Sequence, residues 1–255
     1  MIFDTHAHYD ARQFDTDRHE VLAALPEKGV QLVVNPGCDE ESSRMSIELA
    51  TRYDYIYSAV GWHPEEWEKW DAQSIHTLRE LCKAPKVVAI GEIGLDYYWD
   101  KEHKEIQKEM LLAQLKLARE LDLPVIIHDR EAHEDSLDTV SCFPGIRGVF
   151  HCYSGSAEMA KILVKDGWYL GFDGPITFKN NKKAAEVLSV VPMERILLET
   201  DSPYMAPVPH RGKRCDSSLI PYMAEKVAEV KGLTPEEVLR ITNENGRRLF
   251  GLEKA

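Results

Sequence analysis

Eight times along its 255 residues the chain sets a short apolar run, rich in β-branched residues, before a stretch whose apolar positions recur at three and four. Runs at 2–8, 31–35, 55–60, 86–91, 124–127, 148–150, 168–172 and 195–198 read as strands. Stretches at 15–29, 39–52, 73–83, 102–122, 131–140, 156–166, 181–190 and 218–231 read as helices. Run 86–91 is almost wholly apolar, as a parallel strand covered on both faces requires. In 102–122, Ile106, Met110, Ala113, Leu117 and Leu121 form one helical stripe. Strict strand-helix alternation builds parallel sheet, and a count of eight closes a (β/α)8 TIM barrel, expected here as one domain over 1–255. Thr234-Pro-Glu-Glu237 combines a capping box with proline at the first helical position, so an extra C-terminal helix is expected, lying as a cap on the barrel's outside. The competing fold, an open doubly wound sheet, usually carries a glycine-rich first loop. The chain has neither G-x-G-x-x-G nor G-x-x-x-x-G-K-[ST].

In a barrel of this kind chemistry collects where strands end, so the residues that terminate the apolar runs are the informative ones. The first run ends in His6 and His8, which a period of two puts on one face. The fourth ends in Glu92, the fifth in His128, the sixth in His151 and the eighth in Glu199-Thr200-Asp201. A carboxylate after Val-Val-Ala-Ile-Gly would cost several kcal/mol to desolvate without a cation or strong donors. Asp201 has the plainer alternative of capping a turn through Ser202-Pro203.

Four imidazoles and two carboxylates suit zinc, manganese, nickel or iron, and with added waters magnesium. Six ligands exceed what one catalytic ion needs, so two divalent ions per chain are expected. His6, His8 and Asp201 would hold one, His128 and His151 the other. Glu92 would bridge them at about 3.5–4 Å, with Asp201 orienting or deprotonating the attacking water. Beside this set, His63 in Gly61-Trp-His63-Pro64 points to the same mouth, either as a functional residue or in packing. The basic cluster His210-Arg-Gly-Lys-Arg214 is the expected phosphate contact. Ser154-Gly-Ser156 opens a helix as a phosphate cradle or as a simple N-cap. Cys152, next to His151, should face the other side of its strand.

Composition narrows the partners. With 31 basic and 43 acidic residues the net charge is −12, opposite to that of a protein neutralising many phosphates along a duplex, so any nucleic-acid contact must be local. Five cysteines form no Cys-x-x-Cys, no apolar stretch reaches 18 residues, and a strand from residue 2 leaves no room for a secretory signal. A soluble, cytoplasmic, monomeric protein without membrane association is expected.

Asp-Thr-His-Ala-His8, Gly-Glu-Ile-Gly-Leu-Asp-Tyr97, Ile-His-Asp-Arg130, Phe-His-Cys-Tyr-Ser-Gly155, Gly-Pro-Ile-Thr-Phe-Lys179 and Glu-Thr-Asp-Ser-Pro-Tyr204 together resemble the TatD family of metal-dependent deoxyribonucleases. The match runs end to end, through Asn243-Glu-Asn245 and Arg-Arg-Leu-Phe250. The resemblance implies a metal-dependent hydrolase barrel that cleaves DNA phosphodiesters, as a 3'-5' exonuclease on single strands, with its metal pair on the six positions above. It places DNA contacts at His63, Arg130, Lys179, Arg211, Lys213 and Arg214. Related amidohydrolases commonly bridge their metals with a carboxylated lysine; Glu92 in that place favours the nuclease branch. Cys215-Asp216 departs from the asparagine usual after Gly-Lys-Arg214. The alternative activity is acyl or amide hydrolysis, such as deacylation of D-aminoacyl-tRNA. A non-catalytic binding barrel would lack a ligand, and none is missing.

Overall fold

The computed structural model describes residues 1–252. Eight parallel strands pair in strict chain order: β1 (Ile2–Asp4), β2 (Val30–Pro36), β3 (Ile56–Val60), β4 (Val87–Asp96), β5 (Val125–Arg130), β6 (Gly148–Phe150), β7 (Tyr169–Phe172) and β8 (Ile196–Leu198). The intervening helices are α1 (Arg18–Ala24), α2 (Glu40–Arg52), α3 (Ser74–Leu81), α4 (Lys104–Leu121), α5 (His133–Ser141), α6 (Ala157–Lys165), α7 (Lys182–Val190) and α8 (Ile220–Lys231), followed by α9 (Pro235–Leu249). This is the expected (β/α)8 barrel with one added helix.

The barrel closes along a short seam. Between β8 and β1 the backbone contacts are Thr5 N–H to the Leu198 carbonyl, Asp201 N–H to the His6 carbonyl, and a parallel bridge of Ala7 with Ser202. Buried Asp4 reinforces the seam, its carboxylate accepting from Thr200 Oγ1 at 2.6 Å and Ser217 Oγ at 2.7 Å.

Two apolar layers hold the fold. Between sheet and helices lie side chains such as Val33, Ile90, Leu115, Ile127 and Leu163. Inside the barrel every strand contributes, through Phe3, Leu32, Val34, Ala59, Val88, Ala89, Ile126, Val149, Tyr169 and Leu197. Leu249 and Phe250 join this inner group, and Phe250 tilts against Phe3 at 6.0 Å between ring centroids. The C-terminal end of α9 therefore plugs the floor of the barrel rather than merely capping its outside. Gly246 permits the approach, since a Cβ there would collide with the Phe3 ring.

Two further expectations change. Residues 15–29 are not one helix: Pro26 removes a donor, α1 ends at Ala24, and a 3-10 turn Pro26–Lys28 stops at Gly29 with φ +87°. Strand β4 does not end at Glu92 but runs on to Asp96. Ile90 pairs with Val125 and Ile93 with Ile127, three steps against two, so an extra residue is accommodated around 91–92.

Candidate metal centre

That irregularity sits where Glu92 turns into the barrel mouth, only 3% exposed. Its two oxygens look in different directions. Oε2 lies 3.4 Å from His6 Nε2 and 3.3 Å from His8 Nε2, while Oε1 lies 2.7 Å from His151 Nε2 and 2.8 Å from His128 Nδ1. Asp201 Oδ1 is 3.7 and 3.6 Å from the Nε2 atoms of His6 and His8. The six strand-end residues thus converge on one space, with His6 also stacked on His151 at 4.0 Å between ring centroids. His63 joins them with Nε2 at 3.5 Å from Glu92 Oε1.

The strands explain the convergence. Ile126 and His128, Val149 and His151, and Leu197 and Glu199 are two apart, so each donor sits one layer above an inward apolar side chain. Asp201 is delivered differently, by a left-handed turn with φ +52° whose N–H is tied to the His6 carbonyl.

The donor set fits divalent cations. His6 Nε2 and His8 Nε2 stand 3.0 Å apart, the spacing of two nitrogens about 2.1 Å from a common ion at a right angle. Carboxylates stand behind three of the imidazoles: Asp96 accepts from His128 Nε2 at 3.0 Å, Glu199 lies 3.7 Å from His151 Nδ1, and Asp10 lies 3.8 Å from His8 Nδ1. Metal-binding histidines are oriented this way. Among the described residues, every ionic partner of Glu92 is a histidine, with no lysine or arginine to neutralise it.

Without an ion, protons balance the charge. Burial opposes a proton on His8 and on His128. Glu92, Asp10 and Asp201 outweigh it at the first and Asp96 and Glu92 at the second, holding the rings up to about 9 and about 10. Burial would likewise raise Glu92, but His151, His63, His6 and the His128 hydrogen bond keep it well below the carboxylate range. Burial and the neighbouring Glu92 and Asp173 push Asp201 up, against His8. Cations would replace those protons.

Beside the cluster opens a cavity of about 310 Å³, reached by His128, His151 and Asp201 and walled by Arg130, Lys183 and the apolar Ile176 and Val187. Of the expected substrate contacts, His63 and Arg130 lie at the mouth. Lys179 and Lys213 are exposed, and Arg211 lies over the Phe178 ring at 4.4 Å. Arg214 is committed elsewhere: it pairs with Asp17 at 2.5 Å, donates to the Gln13 carbonyl and covers Phe14. Ser156 accepts from Met159 N–H at 3.1 Å, which makes it an N-cap.

Cys152 does not face away. β6 has already ended at Phe150, Cys152 takes φ +43°, and it lines the cavity beside Asp173. Three residues outside the strand-end reading, and Glu199, a strand-end residue to which it gives no role, also belong to the site. Asp96 terminates the true β4; Glu199, packed over Gly171 where a Cβ would collide, binds the Cys152 N–H; Lys183 lines the cavity; and Cys38 places Sγ 3.8 Å from Glu92 Oε2. Asp96 was visible in Gly-Leu-Asp, had the strand been carried past Glu92.

A parallel barrel whose C-terminal mouth gathers histidines and carboxylates able to bind metal defines a metal-dependent hydrolase. The chain matches the model of the TatD related DNase family over residues 3–251 and belongs to that family. It is 45% identical over 252 residues to the uncharacterized metal-dependent hydrolase YabD of Bacillus subtilis (strain 168), covering 98% of this chain and 99% of the relative. It is 33% identical to the 3'-5' ssDNA/RNA exonuclease TatD of Erwinia tasmaniensis, covering 98% and 100%. Among solved structures, the TatD homologue YJJV of Escherichia coli K12 superposes with TM-score 0.93 at 31% identity, covering 99% of this chain and 98% of that one.

Proposed function

We propose that this chain is a two-metal deoxyribonuclease that removes nucleotides from the 3' end of single-stranded DNA. The observation that carries the proposal is Glu92, whose two oxygens serve two separate pairs of histidines. When bound, a pair of divalent ions lowers the pKa of water and neutralises charge on the reacting phosphate. His6, His8 and Asp201 would hold one ion and His128 and His151 the other, with Glu92 shared. The 3'-5' ssDNA/RNA exonuclease relatives support the substrate class.

The chain's own residues then have distinct tasks. Asp96 holds His128 Nε2, leaving Nδ1 turned to the cluster. Asp201, whose Oδ1 faces His8 and which also lines the cavity, orients the attacking water and takes its proton. Arg130 and Lys183 line the cavity and meet phosphate oxygens from the side.

Incubation of the purified protein with 5'-labelled single-stranded DNA and manganese or magnesium should give a ladder shortening from the 3' end. Chelation and Asp201→Ala should each abolish it. Activity that survives both treatments sinks the proposal, and turnover of D-aminoacyl-tRNA without DNA cleavage would replace it with acyl hydrolysis.

A further inference from the structure

Burial accounts for most large aromatic side chains of this protein; the exceptions among the described residues are Tyr204 and two neighbours just beyond β4. Tyr98 is 52% and Trp99 63% exposed, and their rings meet edge to face at 4.9 Å between centroids. Tryptophan is usually well covered in a folded chain. Single exposed apolar residues need no explanation, but two adjacent rings at the rim of an active-site mouth form a patch.

The patch is rigidly built into the site. Asp96 Oδ1 accepts the N–H groups of Tyr98 at 2.9 Å and Trp99 at 2.8 Å, while its Oδ2 accepts from His128 Nε2 at 3.0 Å. One carboxylate therefore sets both the position of a cluster histidine and the path of the aromatic pair. Buried Gln107 secures the other side, its amide bonding the backbone of Asp96 and of Asp100.

A cation completes the arrangement. The Arg130 guanidinium stacks over Tyr98 at 4.1 Å and lies 5.4 Å from the Trp99 ring centroid, and Arg130 also walls the cavity beside His128. No carboxylate is paired with it among the described residues, in a chain of net charge −12. Flat apolar faces next to an uncompensated guanidinium match a ligand that carries a planar ring and an anion joined by a short linker, as a base and a phosphate are joined by a sugar.

We propose that Trp99 and Tyr98, with Arg130, form a stacking site for a nucleobase of the strand whose phosphodiester enters the metal centre. This inference rests on the nuclease reading above and names a contact that reading does not contain. Any base offers a π face, so the site grips single-stranded DNA without reading its sequence. A paired duplex hides those faces, so the same platform favours unpaired ends.

Equilibrium binding separates this proposal from the nuclease reading. Fluorescence anisotropy would follow a 5'-labelled oligonucleotide in chelator, so that no strand is cut, against an oligonucleotide of equal length whose three 3'-terminal nucleotides are abasic. Wild-type protein should bind the intact strand about 5- to 100-fold more tightly than the abasic one, the range expected for a stacked base. Trp99→Ala should remove that preference and Trp99→Phe should keep most of it. Equal affinity of wild type and Trp99→Ala for the intact strand, or no preference for bases in wild type, overturns the stacking site. Cleavage by the same preparations in manganese reports on the nuclease reading separately, so either can fail alone.

Discussion

On the floor of the barrel Phe3, Val149 and Leu197 meet Leu249 and Phe250; one layer up the same strands, His151 and Glu199 stand beside His6, His128 and Glu92. The step from one layer to the next is two residues, about 7 Å of strand. Within it the interior passes from carbon-only contacts to nitrogen and oxygen donors that burial strips of water. The lower layer lowers the free energy of the fold by removing apolar surface from solvent. The upper layer works against the fold unless protons or cations balance it. The two should therefore respond to opposite perturbations.

The sharpest separation is expected from Glu92→Gln. It removes the one charge that both histidine pairs share, and DNA hydrolysis should fall by about a thousandfold while far-UV circular dichroism and the thermal midpoint stay near wild type. A variant that unfolds instead would show the mouth to be part of the structural core. Leu249→Ala is the reverse experiment. Emptying a fully packed position in the floor should cost about 2–5 kcal/mol in denaturant unfolding, with metal content per folded molecule unchanged. Loss of metal at full stability would erase the distinction between layers.

Asp96→Asn probes the boundary from the side. His128 keeps its place in the cluster but loses its carboxylate, so titration calorimetry should find metal binding about 10- to 100-fold weaker. An unchanged affinity would mean that Asp96 serves only the backbone of Tyr98 and Trp99. pH should act on the upper layer alone. His8 and His128 hold protons up to about 9 and about 10 in the ion-free protein, so metals must displace them at neutral pH. Metal affinity should tighten as pH rises from 6 to 9, by about tenfold per unit for each proton displaced, with proton release visible in buffers of different ionisation enthalpy. A flat profile would show that those rings are not ligands. The smallest effect is expected at Arg214→Ala: a slight loss of stability from its exposed pairing with Asp17, and no change in KM for DNA. A raised KM would return that loop to the substrate.

Much of this was legible in the chain itself. The eight strands showed as apolar runs because a parallel strand is covered on both faces, and the six donors showed because polar residues interrupt those runs at one end. His6 and His8 needed only the period of two. What escaped notice depended on contacts between distant residues. Arg214 looked like a free basic charge until the fold brought Asp17 and Phe14, some 200 positions earlier, against it. Cys152 was assigned to the wrong face because the period of two was carried past Phe150, into a left-handed turn where alternation no longer holds. Asp96 escapes because Glu92, a polar residue inside β4, looks like the end of that strand.

Local patterning alone was thus sufficient for the architecture and for the kinds of atom that line its mouth, since periodicity and desolvation act on each segment where it stands. Which side chains converge on one space, which carboxylate steadies which imidazole, that the last helix stoppers the floor, and that two aromatic rings remain uncovered beside the site were decided only when the barrel closed. Those are distances between segments, set by strand register and by the extra residue near Glu92, and no single stretch of chain carries them.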